Sequence, residues 1–431
     1  MKAEIETRTS RTERVFLVGV ELKSDRPHVL RDSLDELAEL AQTAGGSVVG
    51  DGIQKLAAVH PATFIGKGKA EEFAEFCRRH QVDTVIFDDE LSAAQSRSLE
   101  KVFQCKVLDR TALILDIFAQ RARTREGKLQ IELAQLQHLL PRLTRFWEHL
   151  SRQQGGIGMR GGEGETQLEV DRRKVQDRIA RLLRDLEEVR RHRARQRVTR
   201  QRNKYPLASI VGYTNAGKST LLNALTRAEA LVEDKLFATL DPTTRRLRLP
   251  TNQNVLLTDT VGFIRKLPHR LVEAFKATLE EVVQADLLLH VVDVSHPQAG
   301  EQIAAVNGVL AEIGAADKPT VMVFNKTDLL SNGEVAGGLV EAHPHSVAIS
   351  ARSGAGLPAL LAEIGTRLRP EREFVRMAIP HERADAIARL HEVGQVVERR
   401  FYARTARFKA RIPPYYHNEF APFILGDGRE D

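Results

Sequence analysis

Leu207-Ala208-Ser209-Ile210-Val211 runs directly into Gly212-Tyr213-Thr214-Asn215-Ala216-Gly217-Lys218-Ser219, with Thr220 next. The pattern is apolar strand, glycine-rich turn, Lys-Ser and helix, which is the phosphate cradle of a P-loop nucleotidase. Glycines let the backbone curl so that successive N–H groups point inward at a helix N-terminus, where they hold phosphate. Lys218 is placed to reach the β- and γ-phosphates, and the Ser219 hydroxyl to ligate Mg²⁺. Alone, the octet also suits an ATPase.

Three later stretches point to guanine. Asp259-Thr260-Val261-Gly262 follows the apolar run Asn254–Thr258. An aspartate there can hold a Mg²⁺-bound water, and the glycine N–H can touch the γ-phosphate. Asn325-Lys326-Thr327-Asp328 ends Thr320–Phe324, and Ser350-Ala351-Arg352 follows Ser346–Ile349. The Asp328 carboxylate can accept both N–H donors of the guanine edge. Adenine lacks that pair and would leave it desolvated and unpaired. Each piece alone reads as a turn or solvated loop. Together, in order and each at a strand end, they predict GTP bound with Mg²⁺ and hydrolysed.

The γ-phosphate sensor belongs between the first two motifs, in Leu236-Phe237-Ala238-Thr239-Leu240-Asp241-Pro242-Thr243-Thr244. Phe237 to Asp241 are therefore assigned to the nucleotide site. Thr239 is the first choice to join Ser219 on the metal, with Thr243 and Thr244 as competitors. Lys218, Thr239, Gly262 and Asn215 are the catalytic candidates. Phe263 stands where a water-orienting glutamine follows the glycine in Ras-like enzymes, so slow intrinsic hydrolysis is expected. Asn215 is either a ligand for a potassium ion, as at this position in some related GTPases, or a helix-start hydrogen bonder.

A chain of 431 residues predicts two to four domains. The start Met1-Lys2-Ala3-Glu4-Ile5-Glu6-Thr7 is polar, and the best apolar run, Leu287–Val292, is far too short to cross a membrane. Cys77 and Cys105 are the only cysteines, too few for a disulfide framework or metal cluster. A cytoplasmic monomer without membrane insertion is expected. The net charge is +6, but from Asp171 to Lys204 there are 14 basic residues against five acids. Nearly all are arginine, whose planar fork suits phosphate. The stripe suits nucleic acid or a solvated helical face.

Residues 14 to about 110 alternate strand and helix, predicting a small parallel α/β domain over 1–125. Its elements are strands at Val15–Val20, Ser47–Val49 and Asp83–Phe87, and helices at Asp32–Ala44, Lys69–Arg79 and Ser92–Phe103. In 126–204, Leu129, Leu133, Leu136, Leu140, Leu143, Trp147 and Leu150 recur at steps of four and three, and Leu168, Val175, Ile179, Leu182, Leu186 and Val189 keep the same heptad register. These runs predict an antiparallel coiled-coil arm kinked at Pro141, with a glycine-rich tip over 153–165. Such a tip is a probe for a polyanionic cavity or a plain connector. Residues 205–370 form the predicted P-loop GTPase domain, a mostly parallel sheet with helices on both faces. Residues 371–431 read as a small α+β domain bearing Arg399, Arg400, Arg404, Arg407, Lys409 and Arg411.

Three stretches are more distinctive than the P-loop. They are Thr63-Phe64-Ile65-Gly66-Lys67-Gly68-Lys69, the tip continued by Thr166-Gln167-Leu168-Glu169-Val170-Asp171-Arg172-Arg173, and Phe237–Thr243. By these the chain resembles the bacterial HflX family of GTPases over nearly its whole length. Gly162 departs from the pattern, standing where a proline is expected after arginine-glycine. The resemblance implies a TRAFAC-type G domain and an N-terminal domain that binds the large ribosomal subunit. It also implies splitting or rescue of stalled ribosomes, hydrolysis stimulated by that subunit, and a tip approaching the peptidyl-transferase rRNA. Arg160, Arg172, Arg173, Arg178 and Arg181 are the candidate rRNA contacts. Two alternatives stay open: a ribosome-assembly GTPase, or an RNA-remodelling ATPase with a second nucleotide site near Gly66-Lys67-Gly68-Lys69.

Overall fold

The computed structural model describes residues 12–22, 27–143, 167–202, 205–226, 236–237, 239–240, 242–251, 253–266, 276–330, 333–368, 373–413 and 416–425. The tip, Arg160, Trp147, Leu150, Ala238 and Asp241 lie outside the described residues. The chain divides into two compact units. One comprises Met1–Thr199, Val232–Asp241 and Val261–Leu279; the other comprises Arg200–Leu231, Pro242–Thr260 and Glu280–Asp431.

In the first unit, strands β1 (Arg14–Leu22), β2 (Ser47–Leu56), β3 (Thr84–Phe87) and β4 (Lys106–Asp109) form a parallel sheet in the order β2-β1-β3-β4. Strand alternation sends Phe16, Val18 and Val20 into one cluster with Phe73, Ala74, Leu99 and Phe103. Helices Pro27–Thr43 and Arg110–Arg121 contact each other, and the first also contacts β1 and β2. Burial on both faces explains why β1 and β3 read as apolar runs.

Two elements differ from the sequence reading. β2 is ten residues long where three were expected. Gly50 and Gly52 interrupt its apolar pattern because a Cβ at Gly52 would lie 2.5 Å from the Phe73 ring. β4 and the helix Arg110–Arg121 went unread. Asp109 joins them: its carboxylate caps the helix by accepting from Ala112 N at 2.8 Å and also receives Arg142 at 2.7 Å. Beyond them, helices Arg125–Leu143 and Gln167–Arg202 share an apolar seam of Leu129, Leu133, Leu136, Ile179, Leu182 and Leu186.

The second unit contains β5 (Leu207–Gly212), β6 (Thr243–Arg248), β7 (Asn254–Asp259), β8 (Leu287–Asp293), β9 (Thr320–Asn325) and β10 (Ser346–Ala348). Their order is β10-β9-β8-β5-β7-β6, parallel except for the β6–β7 pair. Ligands of open α/β sheets bind beyond the carboxyl ends of the strands. That is where β5, β7 and β9 deliver Gly212, Asp259 and Asn325. A separate antiparallel sheet follows, β11 (Glu373–Pro380), β12 (Gln395–Phe401) and β13 (Thr405–Ile412), in the order β11-β13-β12. Helix Ala384–Val393 contributes Ala386 and Leu390 to the core under one of its faces.

Candidate functional site

The loop from β5 to helix Lys218–Thr226 has a backbone only certain residues allow. Gly217 has φ +94°, and a Cβ there would lie 2.2 Å from Asn325 Nδ2. Asn215 also sits in the left-handed region, at φ +58°, with its side chain exposed. Asparagine is among the few non-glycine residues that visit it readily. The Thr214 hydroxyl is buried with no hydrogen-bond partner among the described residues, as a polar atom awaiting a ligand would be.

Lys218 is buried and donates to Tyr213 O at 2.6 Å, curling its ammonium over the loop. Burial pushes its pKa down to about 8, opposed by Asp259 and assisted by Lys326. Ser219 Oγ donates to Asp259 Oδ2 at 2.7 Å, so two hard oxygen donors of the kind Mg²⁺ prefers stand side by side. This donor set fits the ion. Thr260 Oγ1 donates to Ile210 O at 2.6 Å and ties the end of β7 to β5.

Asn325 joins two of the motifs. Its Nδ2 donates to Ala216 O at 2.8 Å, and its Oδ1 accepts from Ala351 N at 2.9 Å. One amide thus fixes the phosphate loop against Ser350-Ala351-Arg352. Lys326, at φ +64°, pairs with Asp293 at 2.6 Å. Thr327 N donates to Ile349 O at 3.2 Å. Asp328 is exposed, and a hydrogen bond from Ser350 holds its carboxyl below the usual range. An ionised acceptor at this strand end suits the two donors of guanine.

Of the remaining candidates, Thr239, Leu240, Phe237, Val261 and Gly262 fall in the first unit. There Phe237 is buried with φ +56° and meets the Phe118 ring edge-on at 4.6 Å. Phe263 is buried too. The competitor Thr244 has its hydroxyl engaged with Thr258 across β6–β7 at 2.9 Å. Arg178 forks onto Glu132 at 2.7 and 2.8 Å, a strut between the arm helices, while Arg172 and Arg181 are exposed. At the suggested second nucleotide site, Gly66 N already donates to Gln54 at 2.8 Å and Lys69 pairs with Glu72 at 2.7 Å.

One buried group escaped the sequence reading. His290 on β8 is 1% exposed, with its pKa pushed down to about 4 by burial and by the Lys218 charge. It is neutral at pH 7. Its only sequence signal is a lone polar residue within Leu287–Val292.

Comparison with known proteins gives three family matches. Residues 31–119 match "GTP-binding GTPase N-terminal", 121–200 "GTP-binding GTPase Middle Region", and 208–326 "50S ribosome-binding GTPase". GTPase HflX of Caldanaerobacter subterraneus is 50% identical over 91% of this chain and 90% of that protein. GTPase HflX of Lacrimispora saccharolytica is 48% identical over 93% and 94%. GTPase HflX of Escherichia coli K12 is 46% identical over 90% of each. At such identity over nearly the whole length, the chain belongs to the HflX family of P-loop GTPases.

Proposed function

We propose that this GTPase binds the large ribosomal subunit and uses GTP binding and hydrolysis to control splitting, rescue or recycling of ribosomes. The observation that carries the reading is the match of residues 208–326 to a family described as 50S ribosome-binding GTPases. The arm helix supports it, with Arg172, Lys174 and Arg181 exposed. Along that helix arginine contacts to rRNA phosphate would make binding salt-dependent. The division at 125, 204 and 370 belongs to the same proposal, as does an arm reaching into the subunit with its glycine-rich tip.

Sucrose-gradient sedimentation with purified ribosomes tests this reading. With non-hydrolysable GTP the full chain should co-sediment with large subunits and deplete 70S particles. A chain lacking residues 155–164 should bind GTP equally well, since none of those residues belongs to the four motifs, yet leave 70S particles intact. Unchanged gradients with the full chain would refute the ribosomal role. Equal splitting by the shortened chain would reduce the tip to a connector.

Within the site, Asp328 is assigned to guanine selection, Ser219 and Thr239 to Mg²⁺, Lys218 to the phosphates, and Gly262 to the γ-phosphate. Bound Mg²⁺ would supply charge neutralisation between the β- and γ-phosphates. Asp328→Asn removes the charged acceptor and should weaken GTP binding by roughly 1.5–3 kcal/mol, ten- to over a hundredfold. Xanthosine triphosphate, which carries a carbonyl in place of the exocyclic amine, should bind the variant better than the parent. Equal GTP affinity in both proteins would displace the base from this loop.

Asn215 is assigned to a potassium ion, because its exposed side chain stands beside the phosphate loop. Hydrolysis by the full chain should be faster in KCl than in NaCl at equal ionic strength, and Asn215→Ala should erase the difference. Identical rates in both salts for the parent would eliminate the ion while leaving the GTP site untouched.

A further inference from the structure

The small C-terminal sheet is covered on one face over β11 and β13 and is open on the other. Val375, Met377 and Ile379 of β11 and Ala406, Phe408, Ala410 and Ile412 of β13 are buried with Leu390 and Phe420. Alternation turns the other residues of the same strands outward. Phe374 is 53% exposed, and Arg376 and Arg411 are exposed. Register sets Phe374 beside Arg411 and Arg376 beside Lys409. On the edge strand, Glu398 lies beside Lys409 and Arg400 beside Arg407.

Among the described residues this face carries five cations, Arg376, Arg400, Arg407, Lys409 and Arg411, against the single acid Glu398. That acid is already engaged, by Lys409 at 2.6 Å and Arg400 at 2.8 Å. Aromatic rings stand at opposite ends. Tyr402, 45% exposed, donates its N–H to Thr405 O at the turn into β13. Phe374 is opposite Arg411, six residues further along, a separation of about 20 Å. The Arg407 guanidinium lies 4.8 Å from the Tyr402 ring centre, so one planar group already stacks there.

We propose that this open face is an RNA-binding platform, taking unpaired nucleotides whose bases stack on Phe374 and Tyr402 while the cations between them follow the phosphates. It rests on the ribosomal reading above and adds a second RNA contact, apart from the arm. Three features argue for this occupant. The charge excess is complementary to a polyanion. Exposed rings at both ends suit splayed bases, which unpaired RNA offers and a duplex does not. A sheet of three strands, roughly 10 Å across, cannot enter the deep, narrow major groove of an RNA helix.

The test uses the full chain and a fluorescein-labelled single-stranded RNA 12-mer of mixed sequence, with fluorescence anisotropy read at several salt concentrations. Phe374→Ala with Tyr402→Ala should lower affinity on the order of tenfold or more while leaving its salt slope intact. Arg376→Glu with Arg411→Glu should instead flatten that slope. Phe374→Leu keeps the apolar bulk and should behave as Phe374→Ala does. Far-ultraviolet circular dichroism and a melting curve matching those of the parent certify that each variant is folded. Ultraviolet crosslinking to the same RNA should label peptides within 373–413. Unchanged affinity in the aromatic double variant, with crosslinks confined to 167–202, would overturn the proposal. So would variants that bind the 12-mer normally but lose large subunits, which would make the face a dock for an acidic protein. Because the 12-mer assay contains no ribosome, failure of the ribosomal reading leaves its result intact.

Discussion

Lys218→Met is expected to abolish tight GTP binding and, in the same protein, to raise the melting temperature of the nucleotide-free unit that carries β5–β10. The two effects have one cause. The ammonium is buried under the phosphate loop with Tyr213 O as its acceptor at 2.6 Å, and burial pushes its pKa down to about 8. Holding it charged at pH 7 against an ordinary value of 10.5 costs roughly 3 kcal/mol, at about 1.4 kcal/mol per pH unit of displacement. Methionine keeps the stem and removes the charge, so that cost disappears. At about 2–4 °C per kcal/mol for a unit of this size, the gain is several degrees. Binding moves the other way. Each charge-assisted hydrogen bond to phosphate is worth about 1.5–3 kcal/mol, so losing those to two phosphates weakens GTP by at least a hundredfold.

The pH dependence follows with a definite sign. A bound triphosphate restores the charged lysine, so below pH 8 the cation is already present and affinity is flat. Above it each binding event must capture a proton, and affinity falls by up to tenfold per pH unit. Because the folded pKa is lowered, the stability cost is fully present below pH 8 and fades as pH rises towards 10.5. Melting curves with and without GTP, and titrations from pH 7 to 9.5, measure all of this. A lower melting temperature in the nucleotide-free variant would mean that Lys218 is a structural residue, not a charge held for its ligand.

What could be read in advance was what is locally encoded. Leu207–Val211, Asn254–Thr258 and Thr320–Phe324 each end in a residue type that the following turn demands. Strand and motif were therefore legible together, and the parallel sheet with them. Gly217 shows the limit of such reading. Its positive φ is a local matter, but the reason no Cβ fits is Asn325 Nδ2, 108 residues away in the chain. The glycines of β2 hid a strand for the same reason, since the Phe73 ring that fills the space comes from another element. Lys106–Asp109 was missed because four residues, two apolar ones between a lysine and an aspartate, carry almost no periodic signal. Its identity as a strand comes from pairing with Thr84–Phe87.

The charge cluster around Arg110 was the least legible feature, and it carries the second large effect. Arg110 is 1% exposed and is held by Asp88 at 2.7 Å and by Glu36; Asp88 also receives Ser33 at 2.8 Å and Lys266 at 2.6 Å. The partners are separated by up to 178 residues, so no window of sequence contains them. Burial alone would raise the Asp88 pKa, but the Arg110 and Lys266 charges outweigh it and hold the carboxyl below the ordinary range. Arg110→Ala should destabilise the first unit by about 3–5 kcal/mol, because it leaves buried acids short of a cation and opens a cavity. Lys266→Ala should cost under about 1 kcal/mol, since its side chain is 44% exposed and Arg110 still neutralises Asp88. The sign with pH separates electrostatics from packing. A lowered carboxylate pKa contributes stability that is present above the unfolded value near 4 and is lost as pH falls through the folded value. In Arg110→Ala the Asp88 pKa rises, so the carboxylate part of the deficit against the parent is largest at neutral pH and shrinks below pH 4. Urea unfolding of the parent and both variants at pH 7 and pH 3.5 measures this directly. Equal deficits at the two pH values would assign the whole loss to the cavity, and a Lys266→Ala effect as large as that of Arg110→Ala would make the lysine that follows Asp259-Thr260-Val261-Gly262 the principal partner of Asp88.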